Sequence, residues 1–193
     1  MRWFGDVEPN NGAIVRIPRV MTTLIASALM AGTTLLGTAL TGAALTGSAS
    51  AASSVTSLTF RTTMTSVETN LQTLPGGHTY GWNHFTGTTT WGNQSATIVF
   101  LGDVDYVNGS GPFGGYVTVT RADGTKLAFT TKGNALAEDK ATDGIAARFA
   151  SSLEVIGGTN AYARATGIGT MTGTRSSEIG SPAKFVFKLS VRK

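Results

Sequence analysis

The chain has 193 residues, a formal charge of +4 at pH 7 and no cysteine. Disulfides, thiol nucleophiles and a lipid-bearing cysteine are excluded, so any fold must rest on its core and its backbone ladders. The positive charges are scattered singly, with Arg192 and Lys193 at the very end, so the chain lacks the clustered basic face with interleaved aromatics that nucleic acid requires.

In chain order, Arg16 and Arg19 precede an apolar or small-residue run from Val20 to about Leu45 that carries no charge. Ser48-Ala49-Ser50-Ala51-Ala52 follows and supplies the small residues that signal peptidase needs. This predicts a leader and secretory signal peptide over residues 1–51, with cleavage after Ala51. It also predicts a secreted protein with no stable membrane insertion after cleavage. The competing reading is an uncleaved anchor, since the run is long enough to span a bilayer. Its many glycines and threonines, among them Gly32, Thr33, Thr34 and Gly37, lower its hydrophobicity and favour the signal peptide. Residues 52–193 then form one domain, long enough to bury a sizeable core.

That domain reads as strands throughout. Runs of period two occupy Val55–Ser66, with Leu58, Phe60 and Met64 inward, then Ser95–Tyr106, and Gly115–Arg121 with Val117 and Val119 inward. Further candidates are Lys126–Lys132, Ala146–Ile156, Thr166–Thr174, a weaker run around Thr79–Trp91, and the final run in which Phe185, Phe187, Leu189 and Val191 alternate with polar residues. Ala122-Asp123-Gly124-Thr125 marks a tight hairpin. Longer loops are expected at Pro75-Gly76-Gly77, at residues 108–112 and at residues 178–182, with a short helical or disordered excursion over Asn134–Asp143. About eight antiparallel strands in one domain predict an all-β, eight-stranded antiparallel barrel, because closure removes the sheet edges. A sandwich is the alternative.

Leu153 to Gly173 carries the most specific pattern: Gly157-Gly158-Thr159, Tyr162-Ala163, Ala165-Thr166-Gly167 and Gly169-Thr170. It resembles the glycine-rich hairpin of the allene oxide cyclase and dirigent-like barrels, and the resemblance extends over roughly the last 80 residues. The chain departs from the family pattern at Asn160, Ala161 and Arg164, although Asn160 can adopt the left-handed conformation that the turn requires. The glycines are read as structural: Gly157 and Gly158 permit the reversal, and Gly167 and Gly169 thin a strand at a bend. The resemblance implies a barrel that holds a small apolar molecule and guides its cyclisation or coupling without a cofactor, as an isomerase or cyclase does. It also implies association into homo-oligomers. No catalytic residue carries over, because this hairpin is not where the family does chemistry.

Both histidines of the chain fall in His78-Thr79-Tyr80-Gly81-Trp82-Asn83-His84-Phe85, closely followed by Trp91. In an extended segment His78, Tyr80, Trp82 and His84 share one side. One reading is a ligand-stacking cluster at the barrel mouth built from Tyr80, Trp82, His84 and Trp91, with a histidine available for proton transfer. The other is a loop that plugs the barrel end. The charged strand residues Arg61, Asp103, Asp105, Arg148 and Glu154 are expected on solvated outer positions.

Other chemistry fails on spacing. Two histidines without a third strong ligand make no zinc site. Asp103-Val104-Asp105 opens like a calcium loop, but Gly114 stands where the bidentate glutamate belongs. There is no nucleophile elbow and no dinucleotide fingerprint. Two classes of function are left: a secreted cofactor-independent cyclase or coupling guide, and a noncatalytic secreted barrel that binds an apolar ligand or a surface partner.

Overall fold

The computed structural model describes residues 54–138 and 144–193. The expected leader, signal peptide and cleavage site lie outside these residues. Eight strands follow in order: β1 (Val55–Leu74), β2 (His78–Trp91), β3 (Gln94–Val107), β4 (Gly111–Arg121), β5 (Lys126–Ala137), β6 (Ala147–Gly158), β7 (Thr166–Arg175) and β8 (Ala183–Arg192). Each pairs antiparallel with its neighbour in sequence, and β8 returns to β1, so the sheet is a closed barrel. This is the architecture that the strand pattern and the family resemblance implied; the sandwich is not formed.

Closure depends on β1, which changes partner half-way. Val55–Met64 pairs with β8, Met64–Leu74 pairs with β2, and the register shifts between Ser66 and Glu68. One long bent strand therefore serves two neighbours and leaves no exposed edge. The sequence reading ends this strand at Ser66. The remaining residues are mostly polar because most of their side chains are exposed, so no alternation marks them.

Inward positions at period two build the core. Phe60, Met64, Ile98, Val117, Val119, Leu127, Phe129, Met171, Phe187 and Val191 are fully buried. Threonines and charged residues take the alternate outward positions, where β-branched side chains suit a pleated surface. Arg61, Asp103, Asp105, Arg148 and Glu154 all lie on this exposed face, as their alternation suggests.

Two expectations are corrected. The connection after β3 is tighter than a long loop: Asn108 (φ 51°) and Gly109 (φ 81°) form a two-residue turn, closed by Val107 and Ser110 exchanging backbone hydrogen bonds of 2.7 and 3.1 Å. Both central residues take positive φ, as a hairpin matched to the strand twist requires. Second, Asn134–Ala137 continues β5 instead of beginning an excursion, because it pairs with β6 from Ala147 to Ala150; residues 139–143 lie outside the described ones.

The glycine-rich motif acts as a clasp. Asn160 takes φ 54°, and its Nδ2 donates to Thr125 Oγ1 at 3.0 Å. Thr159 Oγ1 accepts from the Lys126 backbone N–H at 2.9 Å. A Cβ on Gly158 would lie 2.2 Å from the Lys126 carbonyl oxygen, so only glycine permits this approach. The turn after β6 is thus fastened to the β4–β5 hairpin. The same end of the barrel is plugged by Trp91, whose ring lies 5.0 Å from Tyr162 and 5.7 Å from Phe60. Arg121 and Lys193 cover the plug with cations 5.6 Å over Trp91 and 4.3 Å over Tyr162.

Candidate functional site

The opposite end of the barrel is built differently. Alternation brings Phe85 of β2, Phe100 of β3, Phe113 of β4, Phe149 of β6 and Phe185 of β8 to the inside at one level. Their rings meet at centroid separations of 5.6 to 6.4 Å, mostly edge to face. Such geometry places positive ring edges against negative faces. Together they wall a chamber of about 30 Å³, enough for roughly two waters. Ile179, on the β7–β8 connection, covers it from the mouth side.

Three polar side chains reach into this aromatic wall. Asn83 is 3 % exposed, Tyr106 3 % and Arg175 7 %. Asn83 Oδ1 accepts from Thr69 Oγ1 at 3.0 Å and from Ser66 Oγ. The register shift in β1 supplies this pair, since Thr69 stands directly opposite Asn83. Arg175 closes β7; its Nε donates to the Ser177 carbonyl at 2.9 Å and its guanidinium carbon lies 5.5 Å over the Phe149 ring. Among the described residues no carboxylate forms an ion pair with it. Burial holds the Arg175 guanidinium below its ordinary pKa. Burial likewise pushes the Tyr106 phenol up to about 12, against the opposing pull of the Arg175 charge.

At neutral pH the chamber therefore presents a protonated phenol and a guanidinium inside a largely apolar cage, with Asp103 also on its lining and acting on Tyr106. The phenol and the guanidinium are both donors. Such a pair is suited to an oxygen that carries, or develops, negative charge, since the low-dielectric surroundings strengthen the interaction.

The four aromatic and histidine candidates lie elsewhere. His78–Trp91 is one continuous strand and not a loop plug. Tyr80 and Trp82 are 56 % and 40 % exposed on its outer face, and half-buried His84 follows on the same side. The extended spacing does put them together, while the intervening Asn83 and Phe85 point inward. Trp91 is buried at the plugged end. None of the four lines the chamber.

The sequence reading did not single out Asn83, Tyr106 or Arg175. Parity offered a signal for two of them, because Asn83 alternates with Phe85 and Tyr106 follows Ile98, Phe100 and Val104 at even spacing. Arg175 lay one residue beyond the expected end of its strand.

Among the described residues no group of three His, Asp or Glu side chains could hold a metal ion, and no helix is long and apolar enough to cross a membrane. No family model matches the chain, and no curated protein sequence matches it. Among solved structures it is similar to the pterocarpan synthase dirigent protein GePTS1, at 13% sequence identity over 72% of this chain and 88% of that one, with a TM-score of 0.43. The closed eight-stranded antiparallel architecture rests on the strand pairing itself.

Proposed function

We propose that the protein is a secreted barrel that holds a small, largely apolar molecule at its aromatic end and guides its cyclisation or coupling without a cofactor. The observation that carries this reading is Arg175, a buried guanidinium with no described carboxylate beside it, set next to Tyr106 in a wall of phenylalanines. A buried charge is costly unless compensated. A ligand oxygen is a compensating partner. The ligand class is then an apolar body bearing one acceptor oxygen, a carbonyl, carboxylate or phenolate.

On this reading the phenylalanines fix the conformation of the apolar body, so that reacting atoms are brought close and water is kept out. Arg175 and Tyr106 stabilise negative charge that develops on the oxygen. The present chamber is too small for such a molecule, so entry displaces Ile179 and the connection that carries it. Rings and side chains at this mouth rearrange more cheaply than the hydrogen-bonded wall.

The small volume also favours a second reading, a barrel with an essentially filled interior that acts from its surface without catalysis. The two readings separate experimentally. Molecules extracted from protein purified from its own secreting host are returned to fresh protein, and their conversion is followed by chiral chromatography. Formation of one stereoisomer faster than in buffer supports the guiding role; unchanged recovery leaves a holding role; absence of any extracted molecule favours the filled barrel.

A further inference from the structure

Asn83 has no part in the charge stabilisation assigned to Arg175 and Tyr106, yet it is buried on the same chamber lining. The register shift in β1 sets Thr69 directly opposite it. Thr69 Oγ1 donates to Asn83 Oδ1 at 3.0 Å, and Ser66 Oγ donates to the same oxygen. These two hydrogen bonds occupy both lone pairs of the carbonyl oxygen. With the oxygen held on the β1 side, the amide nitrogen is turned away from β1.

On the other side of Asn83 the cross-strand neighbour is Gly102 of β3, which also lines the chamber. A Cβ on Gly102 would lie 2.9 Å from Phe100 Cζ. Packing thus keeps that position free of a side chain, and none stands there to accept from the amide. Among the described residues nothing takes a hydrogen bond from Asn83 Nδ2; Asp103, whose side chain lies on the exposed face of β3, does not. Among them, too, no side-chain nitrogen or oxygen sealed from solvent lacks a partner. Nδ2 therefore keeps accessible surface, and the cavity that Asn83 lines is the chamber. Its two N–H groups are left to whatever enters. A buried donor without an acceptor is costly, and a ligand oxygen removes that cost.

We infer that Asn83 is a further binding residue of the chamber, donating through Nδ2 to a second acceptor oxygen on the molecule whose first oxygen faces Arg175 and Tyr106. This rests on the proposed function and narrows its ligand class to an apolar body with two acceptor oxygens. The three donors come from β2, β3 and β7, so two oxygens held by them fix the orientation of the molecule as well as its place. One contact cannot do that. A flexible body pinned at two points among phenylalanines is restricted to one conformation, which selection of a single stereoisomer requires. A site built to hydrogen-bond an oxygen also rejects the analogue that lacks it.

The test is an NMR titration of the full chain with benzoylpropionate and benzoylbutyrate, each beside the acid in which the ketone is a methylene, phenylbutyrate and phenylvalerate. The carboxylate suits Arg175, and the ketone supplies the second oxygen. At least one keto acid is expected to bind about tenfold more tightly than its partner, the value of one hydrogen bond. It should also move the Asn83 Nδ2–H signals, which its partner leaves in place. Asn83→Leu should bring the affinity ratio close to one. Asn83→Asp, which keeps an oxygen for Ser66 and Thr69, should do the same, and since both acids carry one charge the added carboxylate cancels from the ratio. Circular dichroism checks that each variant keeps the strand signal. Equal binding within both pairs, or a ratio that survives in either folded variant, would overturn this inference and leave the apolar-ligand reading standing. Binding of none of the acids at millimolar concentration would overturn both.

Discussion

The guanidinium carbon of Arg175 lies 5.5 Å over the ring of Phe149, at the end of the barrel where Tyr106 is also buried. The two residues come from β7 and β6, which are direct neighbours, with Gly173 standing opposite Phe149. A cation on a ring in a dry site is attracted more strongly than one at the surface. The pairing also fixes where the charge sits relative to Tyr106.

Tyr106 should titrate near pH 12, since burial pushes its phenol up to about 12 from 10.0. A proton bound more tightly in the folded than in the unfolded state gives stability that is complete below the unfolded pKa. That stability is lost as pH rises through the folded one. The window here is pH 10.0 to about 12, and the loss across it is about 3 kcal/mol. Urea denaturation at a series of alkaline pH values should show this decline, and Tyr106→Phe should flatten it.

Replacing Arg175 by methionine keeps an apolar stem on Phe149 but removes the charge. The Arg175 charge lowers the Tyr106 pKa, so Arg175→Met should raise it further, above its value in the unaltered protein. Ultraviolet difference titration of the two proteins measures this. An unchanged or lower Tyr106 pKa would show that the two groups do not interact.

Trp91 and Trp82 lie in opposite environments on the same strand. Trp91 is 3 % exposed and packs on Phe60 and Tyr162, whereas Trp82 is 40 % exposed. Trp91→Ala should cost about 3–5 kcal/mol of stability; Trp82→Ala should stay within about 0.5 kcal/mol. Urea midpoints of the two variants decide the matter, and similar losses would contradict the placement.

A methyl group at position 173 has no room. A Cβ there would lie 2.4 Å from Phe185 Cδ1 and 2.9 Å from the Lys184 carbonyl oxygen. Gly173→Ala should therefore push Phe185 into the chamber and destabilise the protein by about 1–3 kcal/mol. Denaturant unfolding reads the stability. Loss of the ring-current shifts between Phe185 and Phe149 in an NMR spectrum reads the displacement.

Strand identity was legible wherever one face is apolar, as in β8 with Phe185, Phe187, Leu189 and Val191, because period two is imposed by burial. It failed over the second half of β1 and the end of β5, where both faces are largely wet and nothing but pairing holds the strand. The turn at Asp123-Gly124 was legible because glycine is needed for φ 82° at its second position. The chamber was harder to see. Residue type drew the sequence reading to Tyr80, Trp82 and His84, but the inward side of β2 belongs to Asn83 and Phe85. Arg175, Tyr106 and the five phenylalanines meet only when six different strands have closed the barrel, and no local pattern encodes that meeting.

Native mass spectrometry of the protein purified from its own secreting host, beside the Arg175→Met variant prepared identically, tests the central claim most directly. The account predicts that an apolar molecule with an acceptor oxygen travels with the unaltered protein and is largely lost from the variant. A bare mass for the unaltered protein, with nothing recovered by organic extraction, would contradict it.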